Sequence, residues 1–218
     1  MTKYSPAQTT RWVADNVSDH DDVLKIEVVS DQVIKVYRQK HDPFFAGIVS
    51  AKCVAKEVIE ELVKSDFDID IIVNIPKDAI WVGEAINFAE DNSIATGSYG
   101  DLLRVIHLDD VRSYLPRERK FIERGLRQHD RITRFVRLYD NVYKISRRGL
   151  PDLTVAMLYE YELTADALRT ARDRYGAFSI AVITNPNGSA TSSASDVAKN
   201  IGVSILKWGE FFGRLNKP

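Results

Sequence analysis

The two halves of the chain correspond at a shift of 109 residues, and this constrains its fold more than any other feature. At that shift Ala85 meets Ala194, Ala89 meets Ala198 and Ile94 meets Val203. The run Tyr99-Gly100-Asp101-Leu102-Leu103 meets Trp208-Gly209-Glu210-Phe211-Phe212, so aromatic, glycine, acid and two apolar residues agree in order. With one residue of slack, the apolar runs closed by Pro76 and Pro186 also coincide. A repeat of this length is domain-sized, far above the roughly 20–50 residues of a solenoid unit. It implies two similar units, 1–110 and 111–218, within a chain of 218 residues. The glycine of each matched run is expected to let the chain pass closely from strand to helix.

Periodicity supplies the elements. Residues 7–17 read as a helix, and 23–29 with 33–37 as a hairpin turning at Ser30-Asp31-Gln32. The segment 46–63 places Ile48, Cys53, Val54, Val58, Ile59, Leu62 and Val63 on one broad helical face. Residues 69–75 form a nearly continuous apolar run, the signature of a buried strand. Helix 82–92, strand 93–96 and helix 99–106 complete the first half. In the second, a long helix is expected over 116–139, opened by Pro116. A hairpin of 142–146 and 153–159 follows, then helix 164–174, strand 179–184, helix 193–201, strand 203–206 and helix 209–215. Each half therefore reads as helix, two strands, helix, strand, helix, strand, helix, an α/β pattern.

Composition narrows the function. The chain is 44% hydrophobic and 28% charged, an ordinary globular mix. It has no run of about 18 apolar residues, so no spanning helix is expected, and residues 1–8 carry no signal-like apolar core. The single cysteine, Cys53, excludes an internal disulfide or a multi-cysteine zinc site. These features together imply a cytoplasmic protein. The net charge of −1 conceals an asymmetry. Residues 111–150 hold twelve Lys/Arg and four Asp/Glu, a net of +8, against −9 for the remainder. Such a division concerns partners rather than fold.

The stretch 180–212, IAVITNPNGSATSSASDVAKNIGVSILKWGEFF, has a strand ending in Thr and a polar turn. A small-residue helix with spaced alanines follows, then a short apolar strand, an acid and an apolar helix. It resembles the closing part of Mrr-type restriction-endonuclease-like domains. The resemblance covers roughly 140–215 and, more faintly, 20–106. It implies two duplicated restriction-endonuclease-like α/β halves. It also implies a catalytic pattern of Asp on one strand and Glu or Gln, any residue, then Lys on the next, where carboxylates hold a divalent ion and Lys helps activate water. Asp152 fills the first place, and Glu160-Tyr161-Glu162 puts a glutamate at the Lys position. In the first half Val36-Tyr37-Arg38 carries no carboxylate, and Lys35 follows Val33 rather than an acid. Neither half keeps the full motif. Asp152, Glu160 and Glu162 remain candidate Mg²⁺ ligands and catalytic residues, Glu160 and Glu162 sharing a side if the stretch is a strand. The bland reading is an exposed strand end with ordinary charges. No other cofactor is implied.

The basic segment carries the other candidate. Arg117, Lys120, Arg124, Arg127, Arg131 and Arg134 are spaced 3, 4, 3, 4 and 3, one continuous stripe on a helix. Over 17 residues it would run about 25 Å. Arginine forks bind phosphate bidentately, so DNA or RNA is the leading partner. The competing readings are ion pairing within the chain, with a second copy or with an acidic protein, and a plain solvated face. Glu123–Arg127 and Asp130–Arg134 are possible i,i+4 pairs. No aromatic–basic alternation marks a stacking platform, and His20, His41, His107 and His129 show no metal-ligand spacing. Cys53 reads as a small core residue, His41-Asp42 as a helix lead-in, and Trp81 as facing a partner or the other half. Residues 185–189 read as a plain turn.

The expectation is a nucleic-acid-associated protein of degenerate nuclease-like fold, its halves joined by a long basic helix. The alternatives are an active Mg²⁺-dependent nuclease using Asp152, Glu160 and Glu162, and a non-enzymatic structural or regulatory subunit docked on an acidic protein.

Overall fold

Ser5 opens the first element with a reciprocal capping box. Its hydroxyl accepts from Gln8 N–H, and the Gln8 side chain accepts from Ser5 N–H. The computed structural model describes residues 5–218. Met1–Tyr4, the first half of the 1–8 stretch that carries no signal-like apolar core, lie outside the described residues. The chain divides into two compact units, Met1–Arg117 and Glu118–Pro218.

In the first unit, α1 (Pro6–Ser18) is followed by β1 (Val23–Ser30), β2 (Val33–Arg38) and β3 (Phe44–Val49). The short β4 (Cys53–Val54), α2 (Lys56–Val63), β5 (Ile71–Asn74) and short β6 (Ile80–Trp81) come next, then α3 (Gly83–Asp91), β7 (Ala95–Ser98) and α4 (Tyr99–Val105). The main sheet has the order β1-β2-β3-β5-β7, antiparallel across the first three strands and parallel across the last three. Side chains alternate between two apolar layers. Ile71 and Val73 of β5 join Val13, Val17, Leu102 and Val105 from α1 and α4. Ile72 joins Ile59, Leu62, Ala85 and Ala89 from α2 and α3. Val111 and Tyr114 also pack into this unit.

The second unit takes up α5 (Arg117–Gln128) from Glu118 onward, then β8 (Ile132–Tyr139), β9 (Val142–Arg147), β10 (Leu150–Leu158), β11 (Glu162–Leu163) and α6 (Ala165–Tyr175). Then come β12 (Ile180–Ile183), β13 (Ser189–Ala190), α7 (Ser192–Asn200), β14 (Ser204–Lys207) and α8 (Trp208–Arg214). Its sheet, β8-β9-β10-β12-β14, has the same order and the same strand directions as the first. Ile122 and Leu126 of α5 and Phe211 and Leu215 at α8 pack against Tyr143, Ile145, Val155 and Val182.

The registers agree at a shift of 109 without insertion. Val23 pairs with Arg38 and Ile132 with Arg147; Ala46 with Ile71 and Val155 with Ile180. Ile71 pairs with Ala95 and Ile180 with Ser204; Cys53 with Ile80 and Glu162 with Ser189. The agreement extends to side chains. Arg38 is buried and points Nη1 at the carbonyls of Val105, Ile106 and Leu108, while its remaining nitrogens hold the Asp42 carbonyl. Arg147 does the same to Arg214, Leu215 and Lys217, and to Pro151. All of these positions are again 109 apart. Each arginine thus satisfies carbonyls that the end of the last helix leaves open.

Several expectations are corrected. Residues 46–63 are not one helix. The run Phe44–Val49 is the buried central strand β3, and only 56–63 is helical. A continuous apolar run fits a strand covered on both faces, and it follows Pro43, which favours an extended lead-in. Cys53 lies on β4 and is exposed, not in the core. The long helix ends at Gln128 and residues 132–139 form an edge strand, so no long basic helix joins the halves. Trp81 is buried against α2 and α3 rather than facing outward. Gly100 and Gly209 have ordinary backbone, and a Cβ at either would meet nothing closer than 3.6 Å, so neither is required for a close turn. Among the described residues no helix is long and apolar enough to cross a membrane.

Candidate functional site

The predicted basic stripe is broken by the end of its helix. Arg117, Lys120, Arg124 and Arg127 are exposed on α5, spanning about 15 Å at 1.5 Å per residue. Arg131 sits in the turn beyond, and Arg134 lies on β8 opposite Ser146. An i,i+4 contact between Asp130 and Arg134 has no helix to support it. Glu123–Arg127 does form, at 2.7 Å, but Glu123 is no surface neutraliser. Its side chain is 3% exposed and also accepts from Arg119 Nε at 2.9 Å and from Arg137 of β8. Burial alone would raise the Glu123 pKa, yet the hydrogen bond from Arg119 and the charges of Arg137 and Arg119 hold it below its ordinary value. The buried guanidinium of Arg119 is held low by desolvation, reinforced by the charge of Arg137.

Beside the exposed arginines, α5 and α8 enclose a groove of about 410 Å³. Three aromatic rings line it. Phe121 lies 4.8 Å from Trp208, and Trp208 meets Phe212 edge-on at 4.9 Å. His129 stacks on Phe212 at 5.7 Å, while Arg124 and Gln128 supply polar edges. Phe121 is 49% exposed and leaves a ring face open to the groove. Gly125 makes this arrangement possible, since a Cβ there would lie 2.6 Å from Trp208. An alanine at 125 would therefore push the indole out of its seat. No local sequence pattern marks this groove, because its rings come from two helices more than 80 residues apart. The one available signal was that positions 12 and 121, and 99 and 208, are aromatic at the repeat spacing. In the first unit Trp12 and Tyr99 make the same pair at 5.4 Å, but Asp15 and Asp19 stand where the second unit has Arg124 and Gln128. The second unit carries seventeen Lys/Arg against eleven Asp/Glu, a net of +6, and the first a net of −7.

The three acidic candidates are not brought together. Asp152 lies near the start of β10 and Glu160 just beyond its end, rather than on two neighbouring strands. They are separated by eight residues, more than about 20 Å of extended chain. Asp152 is exposed and pairs with Lys144 at 3.4 Å. Glu160 lies in the connection after β10 and Glu162 opens β11, so the two do not share one strand face. The carboxylate that does face Glu160 is Glu118, in the first turn of α5. It is largely buried and accepts a 2.8 Å hydrogen bond from Thr184 Oγ1. Burial raises its pKa, against the Thr184 bond, and the charge of Glu160 raises it further. The folded protein therefore binds this proton more tightly than the unfolded chain. Stability conferred by the protonated form is lost as pH rises from the ordinary carboxylate range through the raised value. Glu118→Gln is accordingly expected to raise the melting temperature of the second unit at pH 7 by about 2–5 °C and to flatten its decline above pH 5. Thermal melts at several pH values check this, and an unchanged or lower melting temperature at pH 7 would refute it.

Comparison of the chain with protein-family models, with curated proteins and with solved structures gives no match.

Proposed function

We propose that the protein binds single-stranded nucleic acid through the groove and arginine face of its second unit. A base stacks on the Phe121–Trp208–Phe212 rings, and the neighbouring phosphates lie along Arg117, Lys120, Arg124 and Arg127. The observation that carries this reading is the placement of Arg124 on the rim of an open aromatic groove, within a unit of net charge +6. Aromatic surface is sequence-tolerant because every base has a π face, and each stacked base is worth about 1–3 kcal/mol. Arginine supplies bidentate phosphate contacts without sequence choice. A duplex hides its base faces, so the groove favours single strands.

The chain is read as an internal duplication of one restriction-endonuclease-like unit whose catalytic carboxylates have been lost. The 109-residue register and the paired roles of Arg38 and Arg147 support duplication. The succession β12, turn, small-residue α7, β14, Glu210 and apolar α8 supports the fold resemblance. The separation of Asp152 from Glu160 speaks against a Mg²⁺ site shared by those two carboxylates.

Fluorescence anisotropy with labelled single-stranded and duplex oligonucleotides tests the proposal. Single strands are expected to bind more tightly, with log affinity falling about 0.7 per phosphate contact for each decade of salt. Trp208→Ala is expected to weaken binding about tenfold at constant salt slope, because stacking is lost while phosphate contacts remain. Arg124→Ala is expected to reduce the slope itself. Equal affinity for duplex and single strand, or no binding at low salt, would overturn the reading. Tight capture of an acidic protein by the same face, without nucleic acid binding, would do so as well.

A further inference from the structure

The first unit carries a side-chain group that its counterpart lacks. His20 follows α1, Asp22 immediately precedes β1, and His107 lies beyond the end of α4. One nitrogen of each imidazole and one Asp22 oxygen all lie within 4.8 Å of one another. Among the described residues this is the only such group of three histidine, cysteine or acidic side chains. His107 Nδ1 is 3.3 Å from Asp22 Oδ2, and the two imidazole rings are 5.2 Å apart. The Asp22 N–H points at His20 Nδ1 at 3.3 Å, a long hydrogen bond. The other Asp22 oxygen faces Lys40 Nζ at 3.5 Å, on a side chain 75% exposed and free to move aside. His41 is occupied elsewhere, 2.7 Å from Asp109.

We propose that His20, Asp22 and His107 form a Zn²⁺ site with an open fourth position. Two imidazole nitrogens and a carboxylate are a donor set zinc takes, with bonds of about 2.0–2.2 Å. Ligand atoms about 3.3 Å apart are what a tetrahedron with such bonds requires, and the His107–Asp22 separation already has that value. Imidazole disfavours Mg²⁺ and Ca²⁺, which choose oxygen. The bound ion would cross-link the α1–β1 turn to the end of α4, joining segments 87 residues apart in sequence.

The repeat supplies an internal control. At the shift of 109 the three positions become His129, Arg131 and Asn216. The turn is reproduced there, with Arg131 N–H on His129 Nδ1 at 3.2 Å. The backbone is therefore common to both units, and the second and third ligands belong to the first unit alone. This inference is independent of nucleic-acid binding, which uses the second unit.

Untagged, chelator-treated full-length protein should be titrated with ZnCl₂ alone, by calorimetry and by thermal melting. The expected result is one saturable Zn²⁺ per chain and a rise of several degrees in the first unit's melting temperature. His107→Asn and Asp22→Asn, judged folded by unchanged circular dichroism, should each lose more than the ~10–100-fold that removal of an outer-shell partner costs. The double change Arg131→Asp with Asn216→His should add a second Zn²⁺ per chain. Absence of saturable binding, or binding that His107→Asn and Asp22→Asn both leave intact, would overturn the proposal.

Discussion

Replacement of Glu123 by glutamine is expected to lower the melting temperature of the second unit by about 15 °C or more. Glutamine keeps the shape and one acceptor oxygen but removes the charge. Arg119 and Arg137 have side chains only 12% and 6% exposed, and both direct a guanidinium nitrogen at Glu123. Losing the acid leaves two cations out of water without the carboxylate they share. Breaking a buried pair on one side costs about 3–5 kcal/mol, and in a domain of this size each kcal/mol is worth about 4–8 °C. Arg127 is 63% exposed and returns to solvent at little cost. The wild-type dependence on acid has a defined sign. The lowered Glu123 pKa contributes stability above the ordinary carboxylate range, and this is lost as pH falls through the lowered value. The glutamine variant should lack that acid-sensitive component. Thermal melts and hydrogen exchange over residues 118–218 measure both effects. A shift below about 3 °C would show that the arginines do not depend on this carboxylate.

Arg38→Met and Arg147→Met are expected to cost about 3 kcal/mol each, one in each unit. Both guanidinium groups are buried, and desolvation holds both pKa values below the usual arginine value. Methionine matches the stem but abandons four backbone carbonyls in each unit. Lysine should rescue little, because a point charge on a flexible stem cannot serve carbonyls on two sides as a planar fork does. The signature is positional. Exchange should accelerate at 99–108 in the first variant and at 208–217 in the second. Substantial rescue by lysine, or small losses for both, would show that the fork is not what fastens the last helix.

The shift of 109 was legible at its C-terminal end and was not carried through the whole chain. Helices that begin with caps or carry strong periodicity, such as α1, α6 and α7, fall close to their expected positions. The two large errors lie where one half misled and the other read correctly. Residues 44–49 correspond to 153–158, which read as strand, while 132–139 correspond to 23–30, which also read as strand. Arg131 and Arg134 continued the helical spacing by coincidence, and periodicity could not separate them from the true stripe. The groove was invisible for a different reason. Its rings come from two distant helices, and the seat of Trp208 depends on a missing side chain at Gly125. The histidine pair was hidden similarly, since 87 residues lie between His20 and His107.

Two units of one topology on one chain face a hazard during folding, because strands of one half can seek partners in the other. Their cores differ in a way that opposes this exchange. On the face shared with the first and last helices, β2 offers Ile34 and β3 offers Phe44, whereas β9 offers Tyr143 and β10 offers Leu153. The aromatic ring has changed strands between the halves. A hybrid sheet pairing β9 with β3 would crowd two rings into one layer, and one pairing β2 with β10 would leave that layer short of volume. Overpacking costs about 1–3 kcal/mol, and an unfilled cavity a comparable amount. Each half therefore completes its core only with its own strands, and the equal registers do not make the halves interchangeable.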